Sequence, residues 1–187
     1  MYDTALYIGR FEPVHAGHMA LLQRALASAR QVIVVVGSAW QARSPKNPFT
    51  WQEREVMLRE ALHDAVPGAD RARVQVLPMR DYYNEAVWVQ AVIDGVTRLT
   101  GPDARIGLVG HFKDATSSYL SAFPGWQLIP MERQGRIDAT AIRDAYFGAT
   151  PATVQSALAP LADESRPSTL ATLERFAHTP HYSALQE

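Results

Sequence analysis

The residues best equipped for chemistry lie near the N-terminus, in Ile8-Gly9-Arg10-Phe11-Glu12-Pro13-Val14-His15-Ala16-Gly17-His18. Two imidazoles flank a glycine where an apolar segment gives way to a helical pattern, and an arginine stands just upstream. As residue types, His15 and His18 allow an acid–base pair, two metal ligands or two phosphate donors, and histidines three apart also occur on ordinary surfaces. The metal reading lacks a carboxylate or a third histidine at ligand spacing nearby. Position favours phosphate. A helix N-terminus presents unpaired backbone N–H groups and the positive end of its dipole, so imidazoles and Arg10 placed there extend an anion site the backbone already makes.

Such a site needs a sheet to hold it, and the rest of the chain supplies the pattern of one. Thr4–Gly9 reads as a first strand, and Met19, Leu21, Leu22, Ala25 and Leu26 recur at helical spacing between Gly17 and Ala29. Val32–Val36 is a continuous apolar run ended by Gly37, the habit of a strand buried on both faces of a parallel sheet. After a polar loop over 38–49, Thr50 and Glu53 form a capping box for a helix to about Ala65, stopped by Pro67-Gly68. Strands are expected over 73–78, 104–110 and 126–130, with helices over 85–98, around 117–122, and over 138–147, the last capped by Asp138. The tail from Thr150 reads as helical, with Pro167 between two apolar patterns and a polar, aromatic end at 178–183. Alternating strands and helices predict a three-layer, Rossmann-like α/β fold with a mainly parallel sheet. Ligands then bind beyond the carboxyl ends of the strands, where 15–18, the 38–49 loop, the 79–84 segment and Gly110-His111 should converge.

The chain has 187 residues, 47% hydrophobic and 20% charged, which predicts a single domain with a sizeable core. A formal net charge of −1 gives no basic field for nucleic acid. With no cysteine, thiolate metal sites, disulfides and cysteine nucleophiles are excluded. No apolar run is long enough to span a bilayer and no secretory leader is evident, so the expected setting is cytoplasmic.

The stretch GRFEPVHAGH resembles the (H/T)xGH signature of the nucleotidyltransferase superfamily. Its form is similar to the archaeal-type nicotinamide-mononucleotide (NMN) adenylyltransferases and to the adenylyltransferase domain of bacterial bifunctional enzymes with a C-terminal Nudix hydrolase. Further segments match in order. Asn47-Pro48-Phe49-Thr50 with Glu53-Arg54 resembles NPFTxxER. Gly110-His111-Phe112-Lys113-Asp114 with Ser117-Ser118-Tyr119-Leu120 and Phe123-Pro124 resembles GHxKDxSSYYLxxFP, and Ile137–Arg143 resembles ISxTxxR. The resemblance covers roughly residues 4 to 150. Glu12 stands where glutamine is more usual, and Asp138 where serine is; Asp138 can still cap the helix but adds negative charge near the expected phosphates.

The resemblance implies an enzyme that makes NAD⁺ and pyrophosphate from ATP and NMN. It implies that His15, His18, Arg10 and Arg143 stabilise the transferring phosphates, with Arg143 on the β- and γ-phosphates. Gly9, Phe11, Gly17, Lys46, Gly110, His111, Lys113, Asp114 and Thr140 would lie on the ATP side. Asp81, Asn84 and Trp88, with Asn47 and Phe49, would lie on the NMN side, Trp88 stacking on the nicotinamide. An indole face suits a flat cationic pyridinium, though an ordinary helix-to-core tryptophan is the plainer reading of the residue alone. Asn84 could both donate to and accept from a carboxamide, favouring nicotinamide over nicotinate. Thr50 and Glu53 read as a structural cap, and His63, His178 and His181 as surface residues. Mg²⁺ would be held mainly by ATP phosphates, with no protein metal motif.

The chemistry of the residues agrees with that implication. A phosphomonoester is mostly ionised at neutral pH, so a phosphate nucleophile needs no general base. It needs cations and N–H donors that bring two polyanions together. Other acceptors, such as nicotinate mononucleotide or phosphopantetheine, and a non-catalytic nucleotide-sensing role, remain alternatives. Residues 151–187 are expected to form a helical tail within the same domain, similar to the joint to a Nudix domain whose signature is missing from these residues. Small molecules are the expected partners, with a homo-oligomer implied by the resemblance.

Overall fold

The computed structural model describes residues 1–110, 122–131 and 138–187. Five parallel strands form one sheet: β1 (Tyr2–Gly9), β2 (Ala29–Val36), β3 (Val74–Pro78), β4 (Ile106–Gly110) and β5 (Gln127–Pro130). Their order is β3-β2-β1-β4-β5, with every neighbouring pair parallel. The order reverses direction at β1, so the crevice at the carboxyl ends of β1 and β4 is the topological switch point where this architecture binds ligands.

Helices α1 (Ala16–Ser28), α2 (Trp51–Ala65), α3 (Gly68–Arg71), α4 (Glu85–Thr100) and α5 (Ala139–Phe147) surround the sheet. The C-terminal segment adds α6 (Val154–Leu158), a 3₁₀ turn (Ala159–Leu161), α7 (Pro167–Phe176) and α8 (Pro180–Leu185). Strand alternation decides which helix covers which face. Ala5, Tyr7, Val32, Val34 and Val36 pack with buried residues of α1, α2, α5 and the C-terminal helices. Leu6, Ile8, Ile33, Val35 and Leu108 pack with Met79, with Val92 and Val96 of α4, and with Phe123. The apolar run in β2 is continuous because both of its faces are covered.

The capping residues read from the sequence stand where expected. Thr50 Oγ1 accepts from the Glu53 N–H at 3.2 Å, and Glu53 Oε1 accepts from the Thr50 N–H at 2.9 Å. Asp138 Oδ1 accepts from the Ala141 N–H at 3.0 Å. Two elements differ. β2 begins at Ala29, not Val32, because α1 ends directly in extended backbone and the polar Arg30 and Gln31 hid the strand's start. The chain also re-enters a short helix at Gly68, with Pro67 as its N-cap, where a plain stop was expected. The helix expected around 117–122 lies almost wholly outside the described residues.

The tail is bound into the core. Tyr182 is fully buried, its hydroxyl 2.6 and 2.7 Å from the carbonyl oxygens of Tyr146 and Ala149, and Tyr146 donates to the Leu173 carbonyl at 2.6 Å. Burial pushes both phenols up from their ordinary range, so they stay protonated donors. The segment before α7 reaches the chemistry as well. Glu164 O accepts from the Ala16 N–H at 2.9 Å, and Ser165 pairs with His15 in an isolated antiparallel bridge.

Candidate active site

The two histidines are the cap of α1. His15 Nδ1 accepts from the Gly17 backbone N–H at 3.0 Å, and His18 Nδ1 accepts from the His15 N–H at 3.0 Å. Each imidazole therefore takes the role that a serine and a glutamate play in an ordinary capping box. An accepting Nδ1 carries no proton, so both rings hold theirs on Nε2 and present an N–H donor there. The rings stack with centroids 3.7 Å apart, and His18 also lies 4.6 Å from the Phe11 ring. Gly17 is dictated by this packing, since a Cβ there would stand 2.9 Å from His15 Cε1. Gly9 is dictated by the next layer, because its Cβ would meet Phe11 Cζ at 2.9 Å.

The same N-terminal segment carries one buried carboxylate, around which a cation cluster is built. Arg54, on the core stripe of α2, and Glu12 are each about 1% exposed and pair at 3.2 Å. The Arg54 guanidinium also donates to the carbonyl oxygens of Arg10 at 2.8 Å, Gly37 at 2.6 Å and Ser38 at 3.3 Å, and its Nε to that of Thr50 at 3.3 Å. One side chain thus ties the carboxyl ends of β1 and β2 to the start of α2. The backbone beside these carbonyls is strained: Phe11 and Ser38 have positive φ of 58° and 51°, as does Trp40 two residues on, at 60°. Such conformations cost on the order of 1–3 kcal/mol each and persist only where surrounding structure over-determines them.

Two further arginines converge on Glu12. Arg10 lies 3.7 Å from its carboxylate and donates to Lys46 O at 2.5 Å and Asn47 Oδ1 at 2.6 Å. Arg143 donates to the Glu12 carbonyl at 2.7 Å and to Thr140 Oγ1 at 3.2 Å. Burial raises the Glu12 carboxyl to about 7, against the opposing pull of Arg54, Arg10 and Arg143. Burial, and next the like charge of Arg10, draw Arg143 below its ordinary value. The result is a cationic floor at a helix N-terminus, suited to polyphosphate.

The 79–84 segment meets the loop after β2. Asp81 accepts from Ser38 Oγ at 3.0 and 3.1 Å and from Gln41 Nε2. Asn47 Nδ2 donates to Gln41 Oε1 at 3.3 Å, so Asn47 links this network to Arg10. Asn84 Oδ1 caps α4 by accepting from the Val87 N–H at 3.1 Å. The oxygen keeps a second lone pair and the NH₂ its two N–H groups, so Asn84 can still both accept and donate. Trp88 is half-buried and meets Phe123 edge-on at 5.7 Å, with Phe123 stacked on Trp126 at 4.8 Å.

Several residues expected on the substrate side also hold other parts of the site in place. Phe11 is about 1% exposed and Phe49 about 3%; the Phe11 ring lies against His18, and Phe49 packs edge-on against Phe176 at 5.1 Å, so both rings belong to the core. Both are aromatic residues at positions where the core, not the surface, closes. Lys46 has an exposed side chain, and its carbonyl holds Arg10. Thr140 is exposed and orients Arg143, while Gly110 is buried at the end of β4. His111, Lys113 and Asp114 lie outside the described residues. Glu53 caps α2 and also pairs with Arg43 at 2.6 Å, which together with the Thr50 backbone holds its carboxyl below the usual range despite burial. His63, His178 and His181 are exposed. Sequence reasoning missed Arg54 and Glu12 as a pair; the available signal was the spacing of Arg54 to Met57, Leu58, Ala61 and Leu62, which puts it on the buried stripe of α2.

The class follows from fold and site together. A parallel sheet with a histidine-capped helix at its switch point matches the cytidylyltransferase-like family over residues 6–145, and the chain belongs to that family. Its similarities run to one branch within it. The chain is 37% identical over 147 residues to the nicotinamide/nicotinic acid mononucleotide adenylyltransferase of Acinetobacter baylyi, covering 78% of this chain and 76% of that one. It is 33% identical over 145 residues to the nicotinamide-nucleotide adenylyltransferase of Thermococcus kodakarensis, covering 76% and 72%. Among solved structures, the bifunctional NMN adenylyltransferase/ADP-ribose pyrophosphatase of Francisella tularensis, complexed with AMP and a manganese ion, superposes with a TM-score of 0.82 at 28% identity. That match covers all of this chain and 52% of the Francisella chain, so the present chain spans about half of that protein.

Proposed function

We propose that this chain transfers the adenylyl group of ATP to NMN, yielding NAD⁺ and pyrophosphate. An oxygen of the NMN phosphate attacks the α-phosphorus of ATP. A new P–O bond forms, the bond from the α-phosphorus to the bridging oxygen breaks, and pyrophosphate leaves with the electron pair. The nucleophile is ionised already, because a phosphomonoester has a second pKa of about 6. The Nε2–H groups of His15 and His18 donate to phosphate oxygens where charge builds in the transition state. Arg10 and Arg143 draw the polyphosphate onto the N-terminus of α1. Trp88 offers an indole face to the nicotinamide, and Asn84 an N–H donor to its substituent.

Magnesium fits this site as an ion carried by the nucleotide. Among the described residues no group of three or more His, Cys, Asp or Glu side chains could hold a metal, and the donors around the phosphates are cationic. When bound, Mg²⁺ supplies further charge neutralisation across the phosphate oxygens. No helix among the described residues is long and apolar enough to cross a membrane. We place the reaction in the cytoplasm, with small molecules as partners.

The observation that carries this reading is the histidine cap. Two imidazoles are locked by backbone N–H groups into the tautomer that donates from Nε2, at a helix N-terminus whose neighbours are arginines. The test is pyrophosphate release from ATP and Mg²⁺ with NMN, nicotinate mononucleotide or phosphopantetheine as acceptor. Release with NMN is expected. Its absence, with release from another acceptor, reassigns the substrate; absence with all three, despite nucleotide binding, marks a sensing module.

A further inference from the structure

The proposed transfer uses Arg10 and Arg143 but leaves Glu12 without a role, although its side chain, like that of its partner Arg54, is about 1% exposed. Its carboxylate is buried, pairs with buried Arg54 at 3.2 Å and stands 3.7 Å from Arg10, while its own carbonyl holds Arg143 at 2.7 Å. The groups that face it are Arg54 from α2, Arg10 from its own segment, Arg143 from α5 and the Phe49 backbone. Behind those cations stand other carboxylates: Asp81 and Glu53 act on Arg54, and Asp138 and Asp144 act on Arg143. Before ATP arrives, at pH above about 7, Glu12 is therefore the buried anion that balances a three-arginine cluster. When ATP arrives, its polyphosphate claims two of the same cations.

We propose that Glu12 is a positioning residue that couples ATP binding to the uptake of one proton. In the empty site the carboxylate holds the arginines in place. Phosphate oxygens brought to Arg10 and Arg143 place negative charge beside a desolvated carboxylate that can neither move into water nor keep its full share of the cations. Like charges in a low-dielectric setting cannot both stay ionised at no cost, so a proton passes from solvent to Glu12. The proton returns to solvent when the nucleotide product and pyrophosphate leave. The burial that already lifts this carboxyl to about 7 puts the exchange within reach of neutral pH. By linkage, ATP binding then weakens as pH rises above neutrality. A glutamine at position 12 would fill the same space with no proton to exchange.

This inference rests on the site being an ATP site, and its test keeps the two apart. Isothermal titration calorimetry with MgATP, without NMN so that no transfer occurs, is run at pH 8 in buffers of different ionisation enthalpy. The dependence of observed heat on buffer counts protons. Wild-type protein is expected to take up about half a proton or more per nucleotide beyond that taken up by Glu12→Gln, whose count reports only the nucleotide's own ionisation. The dissociation constant should rise several-fold between pH 7 and pH 8.5 for wild type relative to Glu12→Gln. Equal proton counts overturn the proposal and leave the ATP site standing. No binding of MgATP at all overturns both. Should Glu12→Gln not fold, ¹³C NMR of side-chain carboxyls in glutamate-labelled wild type decides. The Glu12 midpoint must move upward on adding MgATP, and an unmoved or lowered midpoint refutes the coupling.

Discussion

Replacing His18 with asparagine separates the two things this residue does. In the structure His18 Nδ1 accepts the His15 N–H at 3.0 Å, closing the cap of α1, while Nε2 carries the proton that the proposed mechanism offers to phosphate. An asparagine Oδ1 sits about where Nδ1 does, so His18→Asn keeps the acceptor and deletes the donor. His18→Ala deletes both. Loss of a capping acceptor costs about 0.5–2 kcal/mol, and loss of the ring's contact with Phe11 at 4.6 Å adds to it. For a chain of this size each kcal/mol lowers Tm by about 2–4 °C. Thermal melts should therefore place Asn above Ala by several degrees. Pyrophosphate release with ATP and NMN should fall about 10²–10³-fold in both variants, the usual loss for one preorganised transition-state donor. Wild-type turnover in His18→Asn would refute the Nε2 assignment, and equal melting of the Asn and Ala variants would refute the cap.

Other perturbations follow from the same geometry. Gly17→Ala puts a Cβ 2.9 Å from His15 Cε1; the ring must turn, and turnover should fall about tenfold or more with Tm within a few degrees of wild type. Glu12 makes stability fall as pH rises. Its carboxyl keeps its proton in the folded state up to about 7, whereas the unfolded chain releases it near the ordinary value of 4.5. Between these limits the folded state binds more protons, so stability is highest below the lower value and declines by about 3 kcal/mol by the upper one. Denaturant titrations from pH 4.5 to 8 should show this decline in wild type relative to Glu12→Gln; parallel curves would count against it. Trp88→Phe keeps an aromatic ring against Phe123 but shrinks the face offered to the nicotinamide; KM for NMN should rise several-fold with KM for ATP unchanged, in steady-state assays.

Much of this protein can be read from local patterns. The continuous run Val32–Val36 announces a strand covered on both faces, and both sets of packing partners exist. Thr50 with Glu53, and Asp138 before α5, announce helix starts through side chains that reach only three residues. The histidines at a strand–helix junction announce the cap of α1 and, in the proposed function, the phosphate end of the site. These signals are legible because each is a short-range hydrogen bond or a periodicity within one element.

What the pattern could not convey depends on residues distant in the chain meeting in space. Phe11 and Phe49 resemble ligand-side aromatics in sequence, yet the core closes over both. Arg54 and Glu12 are polar residues that sequence habit places at the surface, and only the joining of α2 to the end of β1 buries them against each other. Tyr182 sits in a polar, terminal stretch, and only the docking of α8 beside α5 gives its hydroxyl two carbonyl partners. The sequence by itself determined the α/β class, the helix caps and the residue types offered to phosphate. The tertiary structure decided which nitrogen of each histidine donates, which arginines share one carboxylate, and which aromatics are walls. Those outcomes turn on burial and ångström-scale distances between separate elements, and no spacing along the chain encodes either.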